Sequence, residues 1–234
     1  MSTATSTPDP QDPAQVLEQL LKTRHSCRGF LPQTLERPII ERMLSLAQRT
    51  ASWCNAQPWQ VLITSGAATE ALAQALLKQL GTGQPAPDFA FPSEYTGAYQ
   101  QRRRECGFQL YESVGIARGD REASARQARE NFRFFGAPHV AIITSAAPLG
   151  IYGAVDCGAY VSNFMLAAQS LGVGCIAQAS LATQAPAIRE HFGLAPDRLV
   201  VCGISFGYED PSHPANQFRT SRATLEEAVT WVDA

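Results

Sequence analysis

The stretch from Val155 to Leu171 carries one charge, Asp156, among residues that are otherwise mostly small or apolar, and Gly172 ends it. A helix built from it is apolar almost all round, so it should be central and buried. Shorter patterns supply the covering layers. Asp12-Pro13 reads as an N-cap followed by a first-turn proline, and Val16, Leu17, Leu20 and Leu21 share one helical face after it. Ile39, Ile40, Met43, Leu44 and Ala47 mark a second helix, Ala67 to Leu80 a third, and Thr183 to Phe192 another, stopped by Gly193. Strands are expected at Trp59 to Thr64, Val140 to Thr144, Gly174 to Ala177 and Leu199 to Ile204. Helices mixed with strands and no repeat period point to an α+β layer fold. Residues 1–12 are expected to form a tail, and 13–234 one domain with a helical insertion at about 89–135, where Tyr95 to Ile116 and Asp120 to Phe135 look helical.

Of the 234 residues, 45% are hydrophobic and 17% charged, with a net charge of -2, which excludes disorder over most of the chain. The balance of 19 basic and 21 acidic residues argues against a general nucleic-acid or anionic-membrane binder. Apolar runs such as Leu199 to Ile204 are too short to span a bilayer, and the start of the chain lacks the pattern of a secretory signal. The six cysteines are scattered with no C-x-x-C spacing, which fits a reducing cytoplasm.

Several catalytic patterns fail. Gly203-Ile204-Ser205-Phe206-Gly207 matches G-x-S-x-G, but the Pro-containing segment after it cannot start a helix, as a nucleophile elbow requires. No G-x-G-x-x-G opens a helix after a strand, and both lysines, Lys22 and Lys78, follow leucine, which excludes a Walker A loop. The four histidines never pair at metal-ligand spacing, so no metal site is expected.

Four segments remain informative. Arg24-His25-Ser26-Cys27-Arg28 gathers two guanidiniums, an imidazole and a hydroxyl, a donor set suited to a phosphate; a solvated helix end would look the same. In Ser52-Trp53-Cys54-Asn55-Ala56-Gln57-Pro58-Trp59, two amides two residues apart suit a heterocycle edge, or ordinary turn chemistry. The small residues of Gly172-Val173-Gly174-Cys175-Ile176-Ala177-Gln178-Ala179 let a backbone approach a flat ligand. Asn216-Gln217-Phe218-Arg219-Thr220-Ser221-Arg222 is a second basic cluster.

In this order, from about Leu17 to Arg222, the four segments resemble the FMN-dependent nitroreductase family, with R-H-S-x-R near the start and S-x-x-N-x-Q-P-W about thirty residues later. The Arg-rich segment Tyr99 to Phe135 is similar to the branch that reduces nitrobenzoates and related nitroaromatics. The resemblance implies a three-layer fold with a mainly antiparallel central sheet flanked by helices, in an intertwined homodimer with FMN at the interface. Arg24 and Ser26 would hold the FMN phosphate and ribityl chain with His25 beside them, and Arg28 would stabilise the anionic reduced flavin. Asn55 and Gln57 would come from the opposite subunit to the pyrimidine edge. The backbone of Ala177, Gln178 and Ala179 would lie over the ring and offer an N–H to N5. Arg222, with Arg219, would close on the phosphate. Many relatives carry P-x-E-G where this chain has Ala177-Gln178-Ala179, which leaves the N5 donor open.

The implied activity is NADH- or NADPH-driven ping-pong reduction of small nitroaromatics to nitroso and hydroxylamino products, with no catalytic amino acid because the flavin carries the chemistry. Flavin or quinone reduction, reductive dehalogenation and non-catalytic FMN binding are the alternatives. Phe132, Phe134, Phe135 and Tyr111 suit an aromatic substrate pocket, and Arg102 to Arg104, Arg129 and Arg133 a substrate carboxylate; both sets also suit a packed lid with a solvated arginine face.

Overall fold

The structure, a computed structural model, describes residues 12–233. The elements run α1 (Pro13–Thr23), α2 (Arg37–Ala47), β1 (Gln60–Ser65), α3 (Ala67–Thr82), α4 (Gly97–Ser113), α5 (Arg121–Arg129), β2 (His139–Ala146), α6 (Gly150–Ser170), β3 (Gly174–Gln178), α7 (Ala185–Phe192), β4 (Arg198–Gly207) and α8 (Leu225–Ala228). Of the expected tail, all but Asp12 lies outside the described residues; Asp12 caps α1, its carboxylate accepting the Ala14 N–H at 3.0 Å.

The four strands form one sheet in the order β1-β2-β4-β3, antiparallel at each pairing. β2 and β4 are central and bury both faces, so alternate residues feed different layers. Ala141, Ile143, Ile204 and Phe206 face α2 and α6, where they meet Met43, Tyr160 and Phe164. Val140, Ile142 and Val200 face α3 and α7, where they meet Leu72, Leu76 and Ile188. The result is the expected three-layer α+β arrangement. Stacking of Trp59 on Tyr160 at 5.0 Å and the edge contact of Phe164 with Phe206 at 5.5 Å fill the layer beside α6. Among the described residues no helix is long and apolar enough to cross a membrane.

Two expectations need correction. The helix expected over Asp120 to Phe135 ends at Arg129, and Glu130–Gly136 is a 3-10 turn with Phe134 and Phe135 at φ of 58° and 54°. Residues two apart point to different sides of a helix. Left-handed residues are what allow Phe132 and Phe134 to enter the same core beside α3 and α7. These phenylalanines are therefore core residues rather than a substrate pocket.

α6 was expected to be buried all round. It buries one face, through Cys157, Tyr160, Val161, Phe164, Ala167 and Ala168. On the other face Ile151 is 72% and Val155 60% exposed, followed by exposed Gly158, Ala159 and Ser162. Apolar patterning reports only that a surface avoids water. It does not say whether the same chain or another molecule covers it.

Candidate functional site

β3 lies at the edge of the sheet, and the chain after α1 runs beside it. Ser26 forms a parallel bridge with Cys175, and the Cys27 N–H donates to the Cys175 carbonyl at 3.1 Å. On its other side the same segment is held by the chain that leaves β4. The Leu31 N–H donates to the Tyr208 carbonyl at 2.9 Å, and the Asp210 N–H to the Gly29 carbonyl at 3.0 Å. Asn216, 1% exposed, locks the junction: Oδ1 accepts the Arg28 N–H at 2.7 Å, and Nδ2 donates to the Gly29 and Asp210 carbonyls at 2.9 Å each. Gly29 makes this approach possible, because a Cβ there would sit 2.2 Å from the His213 ring.

The two basic clusters, far apart in sequence, thereby become walls of one cleft of about 680 Å³. Arg24, His25, Ser26 and Arg28 line one wall and Arg219 and Arg222 the other, with Ser162 and Met165 of α6 and Cys106 of α4 at the sides. Among the described residues none of the four arginines is ion-paired, whereas Arg37, Arg102, Arg126, Arg133 and Arg189 are. Carbonyl and hydroxyl oxygens hold two of them in place. Arg219 Nη1 donates to the Asn216 and Phe218 carbonyls at 2.7 and 2.9 Å, and Arg222 Nη1 to Thr220 Oγ1 and the Ser221 carbonyl at 2.8 Å each.

Arg28 lies 5.8 Å over the Phe218 ring and donates to the Ser26 carbonyl at 3.3 Å. Burial pulls its pKa below the ordinary arginine value, yet a guanidinium stays charged in a protein. A half-buried cation with no carboxylate partner is what an anionic ligand would complete. The donor set thus fits a phosphate at the arginines and an electron-rich ring edge at Arg28.

His25 lines the cleft, but both its ring nitrogens face protein oxygens: Nε2 meets Glu209 Oε1 at 3.0 Å and Nδ1 the Thr23 carbonyl at 3.2 Å. It ties the end of α1 to the chain after β4. Ala177, Gln178 and Ala179 follow along β3 as an exposed-buried-exposed step. Cys175, bridged to Ser26, and Ala179 are separated by four residues, about 13 Å of extended chain. The Gln178 side chain, 2% exposed, points inward, donating to the Asn131 carbonyl at 2.9 Å and accepting from the Ser205 hydroxyl.

Asn55 and Gln57 do not line this cleft in the same chain. They sit at an exposed turn in which Cys54, Asn55 and Gln57 all have positive φ, at 49°, 55° and 46°. Left-handed non-glycine residues are costly and cluster at functional turns. Internal bonds hold the turn: the Gln57 N–H donates to Ser52 Oγ at 2.9 Å and Gln57 Nε2 to Asn55 Oδ1 at 3.1 Å. The Asp156 carboxylate of α6 accepts the Trp53 N–H at 3.1 Å and so fixes the turn to that helix.

The failed G-x-S-x-G pattern lies wholly inside β4. Ser205 is fully buried and bonded to Gln178, out of reach of substrate. Its glycines give room to neighbours: a Cβ on Gly203 would meet Leu181 at 2.4 Å, and one on Gly207 would meet Pro138 at 2.7 Å. Sequence reasoning missed Glu209 and Asn131 and gave Asn216 no role. A short polar residue beside an arginine segment was the only signal available for Asn216.

Comparison with known proteins places this arrangement. The Nitroreductase family pattern matches residues 21–208. Nitroreductase NfnB of Mycolicibacterium smegmatis is 35% identical over 93% of this chain and 93% of its own length. The 4-nitrobenzoate reductase of a Nocardioides species is 31% identical over 93% of this chain and 90% of its own. A crystal structure of the FMN-dependent nitroreductase NfnB from Mycobacterium smegmatis in complex with NADPH superposes with a TM-score of 0.90 at 34% identity, covering 95% of this chain and all of the other. With a family pattern spanning most of its length and relatives of this identity and coverage, the chain belongs to the nitroreductase family.

Proposed function

We propose that this protein binds FMN and uses NADH or NADPH to reduce small nitroaromatic compounds, nitrobenzoates among them, to nitroso and hydroxylamino products. The observation that carries the reading is the cleft in which Arg24, Arg28, Arg219 and Arg222 converge with no carboxylate partner among the described residues. Family membership and relatives named nitroreductase NfnB, 4-nitrobenzoate reductase and nitrobenzene nitroreductase support it.

Arg24, Arg219 and Arg222, with the Ser26 hydroxyl, would hold the phosphate and ribityl chain. Guanidiniums suit this because each can make two parallel charge-assisted bonds. His25, braced by Glu209, keeps the Arg24–Arg28 segment in place. Arg28 would stand near the pyrimidine part of the ring, a fixed positive charge that favours negative charge developing there. Ala177 and Ala179 leave the strand backbone within reach of a flat ring. FMN, when bound, supplies the two-electron redox chemistry between nicotinamide and nitro group.

The protein acts as a homodimer in this proposal, with Asn55 and Gln57 reaching the partner's flavin. α6 supports it. One end holds the 53–57 turn through Asp156, and Ser162 and Met165 line the arginine cleft. Asp156 and Ser162 are about 9 Å apart along the axis. A two-fold axis near the exposed Gly158 and Ala159 would bring each turn towards the other subunit's cleft, and small residues permit such a close helix approach. We read residues 13–234 as one FMN-binding domain and place the protein in the cytoplasm, consistent with six free thiols.

The test is to purify the protein, add FMN and follow NADH and NADPH oxidation anaerobically with 4-nitrobenzoate and nitrobenzene. The expected result is a yellow protein that oxidises nicotinamide until its own FMN is reduced and turns over further only while a nitro compound is supplied. A protein that stays colourless after FMN addition overturns the proposal. A yellow one that oxidises nicotinamide but passes no electrons to nitro compounds points to flavin or quinone reduction or to dehalogenation, and one that oxidises no nicotinamide is a binding protein.

A further inference from the structure

The 97–130 segment, comprising α4, α5 and the link between them, carries no buried residue in either helix. It is not held by its own apolar face. Just beyond its end, at Asn131, it meets the Gln178–Ser180 backbone, a ledge where β3 ends. Asn131 takes two donors there. Gln178 Nε2 donates to its main-chain carbonyl at 2.9 Å and to its Oδ1 at 3.2 Å, and Ser180 Oγ donates to the same Oδ1 at 2.9 Å.

The rest of the cluster is closed as well. Asn131 Nδ2 donates to the Ala128 carbonyl at 3.0 Å, and Gln178 Oε1 accepts from Ser205. A main-chain carbonyl can only accept, so the orientation of the Gln178 amide is fixed, with its nitrogen towards Asn131. The residues on either side of exposed Ala179 are thus fastened to one asparagine. Directly after it, Phe132 and Phe134 enter the core. Asn131 therefore joins the end of the exposed helices to the packed layer and gives a tilt of those helices a direct route to the ledge.

We propose that Asn131 is a positioning residue through which the helical segment sets the Gln178–Ser180 backbone against the flavin, and so tunes its midpoint potential. The inference rests on the FMN reading above. The physical basis is directional. A backbone N–H held towards N5 favours the oxidised ring, in which that nitrogen is a bare acceptor, over the reduced ring, in which it already carries hydrogen. Loosening the ledge should therefore raise the potential. A polar network left half-bonded loses its hold on the backbone it braced, so removing one acceptor lets that backbone move.

The experiment compares wild type with Asn131→Ala, Asn131→Asp and Ser180→Ala. Hydrogen exchange is read first, on protein without FMN. Asn131→Ala should speed exchange in the peptide spanning 177–181, Asn131→Asp should keep it near wild type because both acceptors remain, and Ser180→Ala should fall between. On FMN-loaded protein the midpoint potentials should follow the same order, with Asn131→Ala the most positive. FMN affinity should stay within about threefold of wild type, since the arginine walls are untouched and threefold corresponds to under 1 kcal/mol. Unchanged exchange, or an unchanged potential in Asn131→Ala or, if that variant does not fold, in Ser180→Ala, overturns the inference and leaves the FMN reading standing. A wild-type protein that takes up no FMN overturns both.

Discussion

His139 opens β2 with 1% of its surface exposed, its ring stacked on Phe206 at 5.2 Å and its Nε2 accepting the Leu35 N–H at 2.9 Å. Burial lowers its pKa from the ordinary 6.5, because the charged ring would be desolvated and would lose its acceptor nitrogen. The unfolded chain then binds a proton more readily than the folded one. Stability is complete above about pH 6.5 and falls as pH drops below it, by at most about 1.4 kcal/mol per pH unit for one proton. Urea unfolding at pH 5.5 and 7.5 should show this loss, and His139→Gln, which keeps an acceptor for Leu35, should narrow the gap between the two pH values. An equal gap in both proteins would place the pH response elsewhere. The residue scale also marks where the sequence stopped being legible. Arg24, Arg28, Arg219 and Arg222 could be picked out because phosphate chemistry selects their type and they cluster locally. Asn216, Glu209 and Asn131 could not, because their roles come from partners 188, 184 and 47 residues away.

β4 shows the same limit one level up. Its apolar run was legible as a strand from Leu199 to Ile204, but the strand continues to Gly207, through residues that read as a loop-like catalytic motif. The glycines resist a local reading because the reason for each lies on a neighbour. Gly203 pairs in register with Ile142 on one side and Gln178 on the other. Leu181, fully buried, fills the space its side chain would take. Gly203→Ala should therefore force Leu181 out of place in a filled core and destabilise the fold by about 1–3 kcal/mol. Chemical denaturation gives the value; a midpoint equal to wild type would mean that Leu181 moves aside freely. The 3-10 turn after α5 was missed for a related reason. Its residues are acceptable in a helix, and only the demand that Phe132 and Phe134 share one core breaks it.

For the whole molecule, the apolar surface left uncovered is the decisive quantity. Val16, Leu17 and Leu21 on α1, Ile151 and Val155 on α6, and Trp231 and Val232 near the C-terminus are all exposed, the last two by 78% and 91%. A chain with 17% charged residues has little else to keep such surfaces soluble. A second copy would cover them and, in the proposed arrangement, deliver Asn55 and Gln57 to a cleft that the same chain does not let them reach. Val155→Arg tests that coupling. Val155 is 60% exposed, so the substitution leaves the single chain's packing intact while placing a charge where the two α6 helices would meet. Desolvating an unpaired charge costs several kcal/mol. Sedimentation should show a monomer in place of a dimer. FMN titration should show affinity lowered by roughly tenfold or more, the equivalent of about 1.4 kcal/mol, although all four cleft arginines remain. A monomer that binds FMN as tightly as the wild type would show that each cleft is complete alone, and would remove Asn55 and Gln57 from the proposed site.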